Sequence, residues 1–228
     1  MLEKAKDTKI ISATDVASGR RFRDVQWDSA GKTLAWLQKK DHDTLIMVKE
    51  FGTNIYACTE IPCGGASVNY GGGDFTIAHR QVLTVCDNEL WSTRLLDGKR
   101  ILIAESDGMI ASPTVSSDGR YVAYVVSGKN NDRIVVSQLI GNGAAVVVGN
   151  DYEFYMQPNW HQSGRYIACV GWNSPEMPWD GSELQIIHLD FDKKDVRQSN
   201  KVVLAGGKDV SVFQPVFSPD GKRIVYVS

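Results

Sequence analysis

The side chains that could perform hydrolysis are scattered along the sequence and do not form a catalytic motif. A serine hydrolase of the α/β type holds its nucleophile in a G-x-S-x-G turn, and the nearest segment, GGASVN at 64–69, lacks the second glycine. The glycine-rich segment YGGGDF at 70–75 is not followed by the Gly-Lys-Ser/Thr of a phosphate-binding loop. Its glycines are better explained by a sharp turn of the chain. The sequence therefore predicts no catalytic residue.

The remaining candidate ligands and bases are equally isolated. The four histidines, which show no i, i+4 pairing, are His42, His79, His161 and His188. Cys58 and Cys63 form one C-x4-C pair without a second pair, whereas a structural zinc site needs four ligands. Cys86 and Cys169 lie in apolar strand patterns, where a thiol behaves as a small core residue. We therefore predict no metal and no cofactor.

One loop, at 172–184, combines aromatic, proline and acidic residues in a way that suggests binding. The residues concerned are Trp172, Pro175, Met177, Pro178, Trp179, Asp180 and Glu183. Exposed loops held by a rigid scaffold are common binding elements. The loop either contacts another domain or a ligand, or it caps its own sheet, and the sequence leaves both interpretations open.

The elements that position these residues are predicted to be β-strands. From residue 21 onward the chain alternates short runs rich in Val, Ile, Leu, Tyr and Trp with clusters of Gly, Asp, Asn and Ser. No helical period is present in this part of the sequence. The preceding lead-in, 1–20, carries Ser12, Thr14 and Asp15 as candidate caps of a short helical turn.

A repeat organises the strands around four tight turns. The turns align on Gly31, Gly119, Gly164 and Gly221. Four positions before each glycine stands an apolar residue: Trp27, Val115, Trp160 or Phe217. A basic residue follows each glycine directly, and apolar residues follow three and five positions after it. Agreement at several positions in four copies predicts a repeated supersecondary unit.

The repeated unit has the features of a β-hairpin. A polar residue followed by glycine permits the positive φ of a tight turn, and alternating apolar residues flank it. Asp118 and Asp220 are expected to accept hydrogen bonds from the turn backbone. A proline stands six positions before three of the glycines, and it is predicted to begin the strand, where its missing N–H matters least.

The period of the repeat indicates the fold. Gly119 and Gly164 lie 45 positions apart, and Gly31 lies nearly two such periods before Gly119. A degenerate copy, 75–104, fits between them. Four strands in a period of about 40 to 50 residues are typical of a β-propeller blade. The predicted blades are 21–60, 75–104, 112–149 and 156–205, with a half blade at 213–228.

The predicted fold is therefore an all-β, TolB-like or WD-repeat-like propeller of about four and a half blades. Two apolar blade faces and one unfinished sheet edge would be uncovered in such an array. We expect further sequence to follow in the complete protein. Completion of the last blade by the N-terminal segment and association with another copy are the alternatives.

The segment 158–190 resembles the propeller of the prolyl oligopeptidase family of serine peptidases, in its acylaminoacyl-peptidase and dipeptidyl-aminopeptidase branch. The family pattern W-x-x-P-x-M-P-W-D-x-x-E-L is matched at Trp172, Pro175, Met177, Pro178, Trp179, Asp180, Glu183 and Leu184. YGGGDF and the C-terminal VFQPVFSPDGKRIVYVS are also similar, so the resemblance extends from about residue 21 to the end. S-P-D-G turns are shared with TolB-like propellers, whereas MPWDG is specific.

The resemblance implies a complete propeller followed by an α/β-hydrolase domain that carries a Ser-Asp-His triad. It also implies that the propeller restricts access to the active site, so that short peptides are preferred. None of the triad falls within the 228 residues, so this chain alone is expected to be inactive. Ala30 and the 161–163 segment His-Gln-Ser replace S-P-D in two turns, which should weaken the hydrogen bonding of those turns.

Composition excludes several other function classes. A net charge of -2 and a pI near 6.1 give no electrostatic support for nucleic-acid binding. The start MLEKAKDTKI is too charged for a signal peptide, and no stretch approaches 18 apolar residues. We expect a cytoplasmic protein that does not enter membranes. A stand-alone propeller scaffold for protein–protein contact is the second functional hypothesis.

Overall fold

The computed structural model describes residues 12–17, 19, 21–40, 43–58, 68, 73–141, 143–192 and 195–228. One short helix, α1 (Ala13–Ala17), precedes the strands, and the Val16 N–H donates to the Ser12 carbonyl at 3.1 Å. The sequence predictions also concern residues that lie outside the described residues, namely His42, Cys63, Gly71 and Gly72.

The described residues form eighteen strands in five antiparallel sheets. The first sheet contains β1 (Arg21–Trp27), β2 (Thr33–Lys40), β3 (Asp43–Glu50) and β4 (Tyr56–Ala57). The second contains β5 (Phe75–Ala78), β6 (Gln81–Cys86), β7 (Glu89–Arg94) and β8 (Arg100–Glu105). The third contains β9 (Met109–Val115), β10 (Tyr121–Ser127), β11 (Asp132–Gln138) and β12 (Val146–Gly149). The fourth contains β13 (Phe154–Trp160), β14 (Tyr166–Trp172), β15 (Ser182–Asp192) and β16 (Asp195–Gly207), and the last contains β17 (Phe213–Phe217) and β18 (Ile224–Val227).

The sheets are the blades of a propeller, numbered here 1 to 5 in chain order. Within each blade the strands pair in chain order. The first strands of successive blades also contact one another, so they form the inner edge of the array. The prediction of an all-β propeller with four four-stranded blades and a two-stranded fifth is confirmed.

Apolar side chains on both faces of blades 2, 3 and 4 fill the spaces between neighbouring blades. The second strands β10 and β14 are therefore buried almost throughout, and they read as continuous apolar runs instead of alternating ones. Cys169 lies fully buried in the core between blades 3 and 4. Burial raises the pKa of this thiol, because the thiolate would lose its hydration there.

The prolines of the repeat lie inside the inner strands, and the prediction that they begin the strands was wrong. β9, β13 and β17 begin a few residues before Pro113, Pro158 and Pro215. The pairing of each strand shifts register at this point, which marks a β-bulge. A bulge leaves one residue without a ladder partner, so it accommodates a residue that has no N–H.

The residue before each of these prolines has a positive φ, and in blades 3 and 4 its side chain bonds to a neighbouring blade. Ser112 has a φ of 51°, and its hydroxyl accepts a hydrogen bond from the Gly73 N–H at 3.2 Å. Gln157 has a φ of 54°, and its side-chain oxygen accepts from the Gln214 N–H at 2.6 Å. The bulges therefore hold the inner strands of adjacent blades together.

The hairpin turns bond as the sequence predicts where S-P-D-G or S-S-D-G is present. The Asp118 carboxylate accepts from the Arg120 N–H at 3.0 Å, and Asp220 accepts from the Lys222 N–H at 3.1 Å. The Ser218 hydroxyl also donates to Asp220 and holds the pKa of this carboxyl below its usual value.

The turn of blade 4 has a different sequence, His-Gln-Ser-Gly, and two of these residues contact blade 5. The His161 ring stands at the position of Ser116 and Ser218 in the other turns, and its Nδ1 accepts from the Ser163 N–H at 3.0 Å. Its Nε2 lies 3.1 Å from the Gly221 carbonyl, and the Gln162 amide donates to the Pro219 carbonyl at 2.8 Å. These residues therefore link two consecutive turns.

Within the described part of the chain, no helix is long and apolar enough to cross a membrane. Among the same residues, no group of three or more His, Cys, Asp or Glu side chains is arranged to hold a metal ion.

Candidate functional site

The loop between β14 and β15 lies next to the two segments that join blade 4 to its neighbours. We call these segments crossovers. The first, 150–153, joins β12 to β13, and the second, 208–212, joins β16 to β17. In a meander of four strands, the second-to-third loop and both crossovers emerge at the same end of the sheet. We call this end of the propeller the crossover face.

Hydrogen bonds attach the loop to both crossovers. The Asn173 side-chain oxygen accepts from the Glu153 N–H at 2.8 Å, and the Ser174 N–H donates to the Glu153 carboxylate at 3.0 Å. Hydrogen bonds from Ser174, first from its side chain and second from its N–H, lower the pKa of Glu153. On the other side, the Ser211 hydroxyl donates to the Pro178 carbonyl at 3.0 Å. The loop and the crossovers therefore form one continuous surface.

The start of the loop is fixed by its buried aromatic residue. Trp172, the last residue of β14, is buried and stacks on Phe154 with ring centroids 5.2 Å apart and planes 19° from parallel. The Ser174–Pro175 peptide bond that follows is cis. Pro178 is also buried, whereas Pro175 is exposed. Trp172 and Pro178 thus have a structural role beneath the surface of the loop.

The tip of the loop presents two large apolar side chains to solvent. The Asp180 and Gly181 N–H groups both donate to the Met177 carbonyl, at 2.8 and 3.1 Å, which closes a tight turn. Met177 is 44% exposed and Trp179 is 63% exposed. An exposed tryptophan held on a turn that is itself hydrogen-bonded is a typical contact residue.

Glu183 lies half-buried behind this tip and is held by the first crossover. The Tyr152 hydroxyl donates a hydrogen bond to its carboxylate. The Tyr152 ring packs on the bare backbone of Gly171, where a Cβ atom would collide with it. Burial, and next the bond to Glu183, raise the pKa of Tyr152, so this hydroxyl stays a donor throughout the physiological pH range.

The second crossover is fixed by a buried serine at the start of β15. The Ser182 hydroxyl accepts a hydrogen bond from the Val212 N–H at 2.9 Å and donates to the Val212 carbonyl at 3.1 Å. The Ser182 N–H donates to the Val210 carbonyl at 3.1 Å. Both crossovers are therefore bound to the third strand of blade 4.

A cavity of about 270 Å³ opens between the loop and the crossovers. Its aromatic walls are Tyr152 and Trp172, and its charged residues are Glu176, Glu183 and Lys208. The remaining lining consists of Asn173, Ser182 and the backbone of Gly171, Gly181 and Gly207. Two carboxylates against one ammonium make the cavity acidic.

The residues predicted from the sequence occupy three different positions. Trp172 and Glu183 line the cavity, Pro178 is buried under the loop, and the others lie on the outer surface, namely Pro175, Met177, Trp179 and Asp180. Sequence reasoning missed Tyr152 and Lys208, because they reach the site from crossovers distant in sequence. The repeat period could have placed both crossovers next to the loop, but no local motif marks these residues.

The described residues contain one close Ser–His contact outside this site. The Ser163 hydroxyl lies 2.7 Å from the His161 Nδ1. The same nitrogen accepts the Ser163 N–H, and Nε2 is engaged by the Gly221 carbonyl. The pair therefore belongs to the hairpin turn, as the sequence indicated for His161.

No family model and no curated protein matches the chain. Solved structures do match it. A puromycin-hydrolysing peptidase of Mycobacterium tuberculosis has a TM-score of 0.77 and 23% identity, over 96% of this chain and 36% of that chain. Puromycin hydrolase has a TM-score of 0.77 and 18% identity, over 96% of this chain and 37% of that one.

TolB from Acinetobacter baumannii is a further neighbour, with a TM-score of 0.63 and 17% identity over 90% of this chain and 48% of that chain. The chain spans a little over a third of the puromycin-hydrolysing peptidases and about half of TolB. At these identities the likeness is one of fold. The chain has the β-propeller fold, and its structural neighbours are the propeller regions of puromycin-hydrolysing peptidases.

Proposed function

We propose that this chain is the propeller part of a cytoplasmic serine peptidase of the prolyl oligopeptidase family that hydrolyses short peptides. The chain would supply no catalytic residue. Its role would be to cover the active site of an α/β-hydrolase domain and to exclude folded proteins from it. The likeness to two puromycin-hydrolysing enzymes and the family pattern at 172–184 support this proposal.

The topology of a blade supports a role for the loop in contacting that domain. The chain enters every blade at its first strand and leaves it after its fourth strand, both at the crossover face. A domain joined to either end of a propeller therefore begins at this face. The loop at 172–184 is on the same face, so it lies within reach of a covalently attached domain.

The observation that carries the proposal is the exposure of Trp179 and Met177 on the crossover face. A side chain with no role beyond capping its own blade would be expected to pack against that blade, as Trp172 and Pro178 do. Trp179 instead projects from a turn that is closed without it. The Trp179 side chain would become buried only through contact with a partner.

Two measurements test the proposal. The coding sequence beyond the Ser228 codon should encode further blades and then a G-x-S-x-G within an α/β pattern. The 228-residue chain should not hydrolyse peptide anilides, while the complete protein should do so and should lose activity with a serine-directed inhibitor. A coding sequence that completes the blades and contains no such motif would remove the peptidase assignment.

The likeness to TolB favours a second candidate, a propeller scaffold for protein–protein contact. In this alternative the exposed tip of the loop would bind a separate protein. A complete protein that forms a closed propeller with no hydrolase domain and no peptidase activity would favour the scaffold.

A further inference from the structure

We propose that the cavity at the crossover face of blade 4 binds a single basic side chain, an arginine or lysine presented by a partner. The inference goes beyond the proposed function, because it concerns a site formed by residues of this chain alone. It holds whether the partner is a hydrolase domain or a separate protein.

The size of the cavity limits what can enter it. Pockets for drug-sized ligands have volumes of about 300 to 1,000 Å³, and this cavity measures about 270 Å³. Three of its walls are glycine backbone, and a Cβ at Gly181 would lie 2.9 Å from the Gly207 carbonyl. The cavity therefore has room for one side chain and is too small for a folded segment.

The two carboxylates define the charge of the group. The Tyr152 hydroxyl donates to one oxygen of Glu183 and fixes the orientation of that carboxylate, which retains capacity for further donors. Glu176 makes no hydrogen bond or ion pair with any residue that the structure describes. Lys208 is the only cation of the lining. The two carboxylates can therefore accept hydrogen bonds from a further group, and a positively charged donor suits them best.

The aromatic walls favour a basic side chain over a metal ion or a small amine. Tyr152 and Trp172 both line the cavity, and the small part of each ring that faces it is apolar, so it can contact the aliphatic stem of the side chain. The chain already pairs a basic side chain with an aromatic ring elsewhere, because the Arg100 guanidinium lies 4.3 Å from the centre of the Trp91 ring. A guanidinium can also bond a carboxylate through two parallel hydrogen bonds.

The test measures binding of N-acetyl-L-arginine amide and N-acetyl-L-lysine amide to the 228-residue chain by NMR titration at low salt. N-acetyl-L-citrulline amide has nearly the same shape without the charge, and we expect it to bind at least about tenfold more weakly. Glycinamide carries only an α-ammonium group. Equal affinity for glycinamide would assign the site to a peptide N-terminus and overturn the proposal for a side chain.

Variants assign the binding to the cavity. Glu176→Gln and Glu183→Gln should each weaken binding about tenfold, since a charged hydrogen bond becomes neutral. Lys208→Gln should strengthen it, because the competing ammonium is removed. The matched control is Asp209→Asn, which removes one negative charge, as the two glutamate variants do. Asp209 follows Lys208 in the chain but does not line the cavity.

Glu176→Gln is the decisive variant, because this side chain bonds no described residue and its loss should leave the fold intact. Unchanged binding in Glu176→Gln, equal binding of the citrulline probe, or equal weakening by Asp209→Asn would each overturn the proposal. Weakening confined to the two glutamate variants would support it.

Discussion

Four polar residues of the inner strands adopt the left-handed backbone conformation that glycine adopts most easily. They are Asp24, Ser112, Gln157 and Gln214, with φ between 50° and 54°. Each precedes Val25 or one of the repeat prolines, and each marks a bulge. The contacts of Ser112 with the entry to blade 2 and of Gln157 with blade 5 offset the strain of this conformation.

Two substitutions of Ser112 should distinguish the effect of backbone strain on stability from the effect of the hydrogen bond. Ser112→Ala and Ser112→Gly both remove the hydroxyl that accepts the Gly73 N–H. Alanine keeps the Cβ at a positive φ, whereas glycine relieves it, so we expect the alanine variant to be less stable by about 1 kcal/mol. Urea denaturation measures the difference. In an ordinary strand the order is the reverse, so a more stable alanine variant would contradict the strained bulge.

The buried thiol of Cys169 should make stability depend on pH in the alkaline range. Burial raises its pKa from the ordinary value of 9.0, so the native thiol stays protonated where the unfolded thiol ionises. The contribution of the protonated thiol to the free energy of unfolding is fully present below about pH 9. It is lost as the pH rises, and the free energy of unfolding then falls by at most about 1.4 kcal/mol per pH unit.

Cys169→Ala provides the comparison. It should lower the unfolding free energy at every pH, because it leaves a small cavity, but it should flatten the decrease between pH 9 and 10. Tyr152 and Tyr155, whose pKa values burial also raises, contribute only above their ordinary value of 10.0. Urea titrations across this range measure the slopes. Identical slopes in the two proteins would show that Cys169 does not titrate as described.

At the scale of the elements, blades are joined by single polar side chains as well as by apolar packing. The Ser182 hydroxyl forms hydrogen bonds with both the N–H and the carbonyl of Val212, which lies at the entry to blade 5. The carboxylate of Asp132, the first residue of β11, accepts a hydrogen bond from the Tyr155 N–H of blade 4 at 3.1 Å. The start of the third strand therefore bonds to the following blade in two successive blades.

Ser182→Ala should detach the fifth blade locally. The substitution leaves the buried Val212 N–H without its partner, so we expect a loss of about 1 to 3 kcal/mol. Hydrogen exchange at Val212 and along β17 should accelerate, while exchange in β10 should remain unchanged. The control is Ser29→Ala, which removes from an exposed turn of blade 1 a hydroxyl that accepts the His79 N–H. Equal acceleration in all blades would indicate global destabilisation instead.

The repeat made the hairpins and the fold class predictable from the sequence, because turn glycines and apolar alternation are local signals. The bulges were not predictable, since Pro113 and Pro158 are compatible with either the start of a strand or a bulge inside it. The sequence predicted the loop at 172–184 as a contact site, but it did not predict the cavity. Trp172 and Glu183 belong to one distinctive segment, but Tyr152 and Lys208 are ordinary residues that the topology brings there.

At the scale of the molecule, blade 1 has an apolar face that no described residue covers. Trp160 occupies the repeat position of Trp27, and its indole N–H donates to the Thr114 carbonyl of the preceding blade at 3.0 Å. Trp160 is 8% exposed, whereas Trp27 is 56% exposed. Phe22 is exposed on the same strand. The face of blade 1 thus has the side chains that elsewhere contact a preceding blade.

The 228-residue chain should therefore self-associate as its concentration rises. Burial of Trp27 and its neighbours against a second copy removes apolar surface from water. Sedimentation velocity should show concentration-dependent species, and Trp27→Lys should shift them towards the monomer. Leu96→Lys is the control, because Leu96 is exposed in the turn between β7 and β8. A chain that stays monomeric at high concentration would contradict this expectation.

If the complete protein is the proposed peptidase, Trp179 should couple the propeller to a hydrolase domain on its crossover face. Burial of an exposed tryptophan at the centre of an interface contributes about 2 to 4 kcal/mol. Trp179→Ala should therefore separate the unfolding of the two domains in calorimetry and raise the activity towards longer peptides. The stability of the isolated propeller should not change, because this side chain already lies in solvent.

Ile140→Ala is the matched control for this prediction. Ile140 is exposed to a similar degree in the turn between β11 and β12, at the end of the blade opposite the crossovers. If both variants leave the coupling unchanged, the loop does not contact the other domain. If both disturb it equally, the effect does not belong to the crossover face. Only a selective effect of Trp179 links the exposed tip of the loop to docking, because both variants truncate an exposed apolar side chain, at opposite ends of the propeller.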